Sequence, residues 1–224
     1  MIIKLKKVFT PNATSDLLVK NSIKFLKKRN QDILDLGCGT GFVGLSVAKN
    51  LSFKNKYYFS DISKKAINLC KKNAKKNKVK IDAKAGVLYK PWIDQRFDLI
   101  IESVSAIAKK AADISPWYKN GIPCACGQDG TILVEKVLKN SKKHLKKNGK
   151  LIFPVVSLSK KSKILKIAKK QFKTVKLIDT KDWPLPKSMY AHTKLLEKLR
   201  KKGLINFKKK FGLILYTSDI YVAY

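Results

Sequence analysis

The sequence predicts an α/β protein built as a three-layer, doubly wound sheet of seven strands. Three observations predict it. Short apolar runs alternate with helical patterns down the chain, and the first run ends in a glycine-rich turn that opens a helix. Hydrophobic residues make up 45% of the 224, enough to build a buried core. Strands separated by helices require parallel pairing with right-handed crossovers, which stacks helices on both faces of the sheet.

The elements follow in order. Residues 12–28 read as an amphipathic helix, with Leu17, Leu18, Asn21, Phe25 and Leu26 near helical spacing. Residues 32–36 are a short buried strand, 42–50 a helix and 56–61 the second strand. Ser63 is placed to cap a helix through Lys76. The third strand lies within 79–87, the fourth is 97–102 and the fifth 149–156. Between the last two, a loop rich in Pro, Gly and Cys precedes a helix over about 130–147. A helix over 160–171, a strand over 174–178 and a helix over 188–202 stopped by Gly203 come next. The last element, 213–222, is a long β-branched and aromatic strand. With no internal repeat and no linker, residues 1–224 read as one domain.

Net charge is +35. Only Arg29, Arg96 and Arg200 are arginine, and the other basic residues are lysines spread along the chain. Glutamate is as scarce, at Glu102, Glu135 and Glu197. The charge is equally consistent with a polyanion-binding surface and with a solvated, compositionally biased one. No apolar run nears the ~20 residues of a membrane span, and the start lacks a secretory pattern, so a cytoplasmic address is expected. Of the four cysteines, Cys124 and Cys126 could reach one metal, but no second Cys/His pair stands at ligand spacing, so no metal is expected.

The chemistry begins at Asp35-Leu36-Gly37-Cys38-Gly39-Thr40-Gly41. Ligands of open α/β sheets bind at the carboxyl ends of the strands, and glycines let the backbone come close to them. A mere strand-to-helix turn needs one glycine, and this one has three. Gly39-Thr40-Gly41-Phe42-Val43-Gly44 also fits the dinucleotide fingerprint G-x-G-x-x-G. Counted from Gly37 at the strand end, however, Phe42 falls where the third glycine belongs, and the chain offers no second nucleotide-binding half. Asp61 ends the second strand about twenty residues past the turn, where a carboxylate accepts hydrogen bonds from ribose hydroxyls. Ile62 beside it is placed to cover one face of adenine.

Residues 35–45, Asp61 and 97–102 resemble the successive motifs of class I S-adenosylmethionine-dependent methyltransferases, over almost the whole chain. Within that superfamily the chain resembles the small-domain methyltransferases, such as the release-factor glutamine N5-methyltransferases. Residues 8–15 are similar to their F-x-P-x-x-x-T segment, and Gly127-Gln128-Asp129-Gly130 to their G-G-x-D-G stretch. The resemblance implies a Rossmann-like sheet whose last strand inserts antiparallel. It implies S-adenosylmethionine as cofactor, held by Asp35, Gly37, Cys38, Gly39, Thr40, Gly41, Asp61 and Ile62. Gly86 and Val87 stand where an acid or amide usually bonds adenine.

The sequence departs from that family after the fourth strand, where N-P-P-Y is replaced by Glu102-Ser103-Val104-Ser105. Methyl transfer is an in-line displacement in which the protein aligns the partners, and a hydroxyl acceptor also needs a base. Glu102 is therefore expected at the mouth of the site as the group that orients or deprotonates the acceptor, with Ser103 and Ser105 hydrogen-bonding it. Trp117, Tyr118 and Cys124 sit on the loop expected to cover the acceptor. An N-terminal segment at 1–30 and an insertion at 183–210 are expected to face substrate. The resemblance points to a protein of the translation apparatus as acceptor, possible ribosome association included. The charge allows a ribosomal or transfer RNA instead, and the lost N-P-P-Y a cofactor-binding protein without catalysis. Oligomeric state is left open.

Overall fold

The computed structural model describes residues 3, 8–26, 28–51, 54–119, 121–122 and 124–224. Residues 1, 2, 4–7 and 27 of the expected substrate-facing segment lie outside them. Five strands run parallel: β1 (Asp32–Leu36), β2 (Lys56–Asp61), β3 (Asp82–Ala85), β4 (Phe97–Glu102) and β5 (Leu145–Val156). Three more, β6 (Val175–Pro184), β7 (Lys208–Lys210) and β8 (Leu213–Ala223), complete one sheet in the order β3-β2-β1-β4-β5-β8-β6, with β7 paired to β8. β8 lies antiparallel between β5 and β6. The strand order reverses direction at β1, between β2 and β4, and that switch point places the cleft.

Alternation along the strands builds the three layers. Ile33, Leu99, Ile101 and Ile152 point to one face, against helices α1 (Ala13–Ile23), α2 (Phe42–Lys49) and α3 (Lys64–Lys76). Leu34, Leu36, Ile100, Leu151 and Phe153 point to the other, against α5 (Ile132–Ser141) and α6 (Lys161–Gln171). A third cluster joins α4 (Lys109–Ile114) and α7 (Thr193–Lys201) to Leu158, Leu185, Ile214 and Tyr216 at one end of the sheet. At the opposite end Lys146 bridges Asp32 and Asp98 of neighbouring strands.

Several boundaries differ from the sequence reading, each for a physical reason. The first helix stops at Ile23 because the chain turns there, Leu26 N–H bonding Ile23 O, to bury Leu26. Its start is as marked by sequence, with Asn12 and Ser15 forming a reciprocal capping box. The helix expected to reach Lys147 ends at Ser141, because Leu145 pairs with Phe97. Gly149 then sits where a Cβ would lie 2.7 Å from Phe97 O, beside a register shift in that ladder. β6 runs on to Pro184 because β8 supplies partners along its length, and so takes Trp183 out of the expected insertion. That insertion begins with a 3-10 turn (Lys187–His192) before α7, and ends in the extra strand β7. α4 is too short to show helical periodicity in the sequence.

Gly44 in α2 is needed for packing, since a Cβ there would lie 2.5 Å from the Phe59 ring and 3.1 Å from Asp35 Cβ. Gly44→Ala is expected to destabilise the chain by about 1–3 kcal/mol through overpacking. A urea midpoint equal to that of the wild type would contradict it.

Candidate active site

The glycine turn between β1 and α2 enters the left-handed region at alternate residues, with φ of +80° at Gly37, +52° at Gly39 and +79° at Gly41. Its main chain is tied down on three sides. Gly37 and Cys38 N–H groups bond Ser60 O at 2.8 and 3.0 Å. Gly39 N–H donates to Asp61 Oδ2 at 2.9 Å, and Ser63 N–H to Oδ1 of the same carboxylate at 2.8 Å. From α3, buried Asn73 donates its amide N–H to Thr40 O at 2.9 Å. Beneath the turn, Asp35 Oδ2 accepts Gly44 N–H at 2.8 Å.

The glycines are not equivalent. A Cβ on Gly37 would lie 2.8 Å from Val104 and one on Gly41 2.6 Å from Cys70 Sγ, so these two let neighbouring elements close in. At Gly39 the nearest atom is 4.0 Å away, so its missing side chain leaves open space in the cleft.

The cleft holds a cavity of about 250 Å³ lined at one end by Gly37, Cys38, Gly39, Thr40, Asp61, Ile62, Gly86 and Val87. All eight were expected from sequence as cofactor-binding positions. Asp35 and Gly41 do not line it; Asp35 is fully buried under the turn, and Gly41 caps α2 packed against Cys70 and Leu45. Ile62 and Val87 expose 63% and 45% of their surface, two large apolar side chains left uncovered within one cleft. Gly86 is required by Pro91, whose Cγ a Cβ would meet at 2.5 Å. The buried hydroxyls of Thr40 and Ser60 also line the cleft and find no partner among the described residues.

The other end lies over the carboxyl ends of β4 and β5. Ser103, Val104 and Ser105 line it, with Ser103 N–H donating to Leu36 O at 2.8 Å. Tyr118 bonds Ser105 and packs 5.7 Å from Phe9, while Trp117 meets Tyr216 edge-on at 5.3 Å. Among the described residues lining the whole cleft, Asp61 is the one charged side chain. Cys124 is half-buried, and its Sγ lies 3.1 Å from Cys126 Sγ. The Cys126 hydrogen bond holds the Cys124 thiol below its ordinary range and pushes that of Cys126 up.

Glu102 differs from its expected place. It is buried behind the cleft wall rather than at the mouth, with Oε1 accepting Val104 N–H at 2.8 Å and Oε2 finding no partner among the described residues. The reason is that every residue of β4's last turn of pleat is covered, so a side chain on its inner face has no route to solvent. Burial pushes the Glu102 carboxyl up to about 8 and that of Asp35 to about 7. Burial also raises Asp61.

Phe9 lines the cleft from within the N-terminal segment expected to face substrate, whereas sequence reasoning missed Leu88, Ile107, Leu158 and Tyr216. Tyr216 was visible as an inward position of an alternating strand, and Asn73 as a polar residue among Ile67, Cys70 and Ala74 on one helix face. Leu88, in a turn at φ +49°, carries no such signal.

The switch point, the glycine turn, Asp61 and the inserted antiparallel strand together define the fold of the class I S-adenosylmethionine-dependent methyltransferases. The Methyltransferase small domain family matches residues 2–103. A protein of Methanocaldococcus jannaschii that carries the name protein N5-glutamine methyltransferase is 30% identical over 150 residues, 66% of this chain and 73% of that one. The chain belongs to this small-domain methyltransferase family. It is also 30% identical over 154 residues to the release factor glutamine methyltransferase of Borreliella burgdorferi, matching 66% of its own length. The match covers 52% of that enzyme, so the chain spans about half the length of this relative. Among solved structures, the precorrin-6y C5,15-methyltransferase of Geobacter metallireducens has the same fold, with a TM-score of 0.61 at 11% identity, covering 100% of this chain and 93% of that one.

A carboxyl raised by folding holds its proton in the native state after the unfolded chain has lost it. Stability therefore falls as pH rises from the ordinary carboxylate value through about 8, and is steady above. Glu102→Gln keeps the neutral shape, so its stability advantage over the wild type is expected to grow between pH 5 and pH 8, reaching a few kcal/mol at about 1.4 per pH unit. Thermal midpoints measured at both pH values check this. A difference that does not change with pH would show that Glu102 ionises freely.

Proposed function

We propose that the chain is an S-adenosylmethionine-dependent methyltransferase whose acceptor is an uncharged side chain of a protein of the translation apparatus. The observation that carries this reading is the division of the cleft. One end offers glycine main chain and Asp61; the other is apolar with a few hydroxyls and, among the described residues, no charge.

The cofactor end fits the cofactor. Each Asp61 oxygen takes one backbone N–H and keeps a free lone pair for a ribose hydroxyl. Ile62 and Val87 supply apolar surface for the two faces of adenine, and the space at Gly39 admits a ligand against the backbone. Thr40 and Ser60 hold hydroxyls in need of a partner. When bound, S-adenosylmethionine supplies a methyl group on a sulfonium, open to in-line attack.

At the acceptor end, Ser103 and Ser105 orient the incoming group by hydrogen bonding, while Trp117, Tyr118 and Tyr216 exclude water around it. Glu102 acts as a positioning residue. Its carboxyl fixes the backbone of Val104, the residue pressed against Gly37, and so sets how closely the acceptor wall approaches the glycine turn. An uncharged acceptor suits such a pocket because a charged one would be desolvated without a partner. The names of the relatives, glutamine methyltransferases acting on release factors or other proteins, support a protein acceptor. The N-terminal segment contributes Phe9, Pro11 and Asn12 to the rim, consistent with substrate contact.

Tritiated S-adenosylmethionine supplied with the chain to a lysate lacking it is expected to label a band that protease removes and nuclease does not. Nuclease-sensitive label would move the acceptor to RNA, and no label in any fraction would leave a cofactor-binding protein without catalysis. Asp61→Ala is expected to weaken cofactor affinity by about 1–3 kcal/mol. Unchanged affinity by calorimetry, with the fold intact, would remove the ribose assignment.

A further inference from the structure

The segment from the end of β6 to the start of β8 has its own character. Residues 183–213 carry nine Lys and Arg against one glutamate. Lys194, Lys198, Lys201 and Lys202 are exposed around a shallow depression along one side of α7, at the spacing that puts residues on one helical face. Glu197 joins this helix to the neighbouring hairpin, pairing with Arg200 at 2.9 Å and with Lys209 of β7 at 2.7 Å. α7 and the β7–β8 hairpin therefore present one continuous basic surface.

The hairpin ends in an anomaly. Lys210 pairs with Leu213, leaving Phe211 and Gly212 as a two-residue turn with φ of +50° and +71°. Turns with both central residues at positive φ favour Asn-Gly or Asp-Gly, and a bulky aromatic in the left-handed region is strained. Phe211 is 89% exposed, more than any other large apolar side chain among the described residues, so burial does not offset that strain. The Lys210 ammonium lies 5.0 Å from its ring centroid. The tight hairpin requires positive φ at both positions, and a bulky exposed ring kept at one of them, where Asn or Gly would be unstrained, points to a use for the ring itself.

The location relates this surface to the cleft. Because β8 runs antiparallel to β5, with Ser218 opposite Val156, its first residues extend past the carboxyl ends of the parallel strands. Tyr216, which lines the acceptor end, is five residues from Phe211, roughly 16 Å along an extended strand.

We propose that α7 and the β7–β8 hairpin form an RNA-docking surface beside the acceptor end of the cleft. Phe211 stacks on an unpaired base, and Lys194, Lys198, Lys201, Lys202 and Lys210 face the phosphates. Lysines alone would serve any polyanion. An exposed ring among them adds a flat apolar face, which nucleobases use and acidic side chains do not. The inference is independent of the atom that receives the methyl group, since a protein acceptor held in a ribonucleoprotein would present RNA alongside.

The test is fluorescence anisotropy of the whole chain with a labelled RNA stem-loop, over a range of salt. Phe211→Ala and Phe211→Asn are expected to weaken binding about tenfold while leaving the salt slope unchanged. Phe211→Asn should melt no lower than the wild type, and Phe211→Trp should keep full affinity. The combined Lys194→Ala, Lys198→Ala and Lys201→Ala variant is expected to lower the slope of log affinity against log salt by about 2. The proposal is overturned if Phe211→Ala binds the stem-loop as tightly as the wild type. It is overturned equally if the same substitution costs as much affinity for polyglutamate or for phosphatidylserine vesicles, which would assign the surface to an acidic protein or a membrane.

Discussion

Everything at the cleft depends on the Asp61 carboxylate holding two backbone N–H groups at once, Gly39 on the glycine turn and Ser63 at the start of α3. Three left-handed glycines alternating with Cys38 and Thr40 have no intrinsic reason to adopt one conformation, because glycine loses more conformational freedom on folding than any other residue. Asp61 supplies that reason from the neighbouring strand, and Asp35 and Asn73 supply it from below and beside. The residue proposed to meet the ribose is thus also the one that shapes the turn beneath it. A carboxylate does both because each oxygen accepts more than one hydrogen bond.

The two ends of the cleft solve different electrostatic problems. Around the turn, charge and main-chain polarity are exposed to a ligand. Beyond β4, Glu102 is withdrawn behind the wall and favours its neutral form near physiological pH, leaving hydroxyls and aromatic rings in front. This happens in a chain of net charge +35, in which no lysine among the described residues is buried. Such an outer field attracts polyanions from a distance, whereas under the proposed reading the cleft takes an uncharged group at close range. The two need not contact the same molecule.

Most of the architecture was legible in the sequence because buried parallel strands leave uninterrupted apolar runs, as in Leu99-Ile100-Ile101, and because Asn12, Ser63 and Gly203 are local stop and start signals. Boundaries decided by distant partners were not. Leu145 becomes a strand residue through Phe97, and β6 lengthens because β8 lies beside it. At the site, glycine spacing and Asp61 pointed to the turn because that chemistry is local. The depth of Glu102 was hidden, since a strand-end carboxylate has the same one-dimensional signature whether it faces solvent or core. Tyr216 and Phe9 come from opposite ends of the chain, and their meeting in one cleft is a property of topology alone.

That topology has a temporal side. The turn, Asp61 and the ends of β3 and β4 come from the first half of the chain, but the acceptor wall is closed by β8, whose Ser218 hydroxyl meets Thr14 at 2.7 Å across 204 residues of sequence. Contacts of such separation form late, because loop-closure entropy opposes them until the intervening elements are in place. During synthesis the nucleoside end can assemble while the acceptor end is still an open apolar surface. Catalytic competence in this fold is then a property acquired with the final strand.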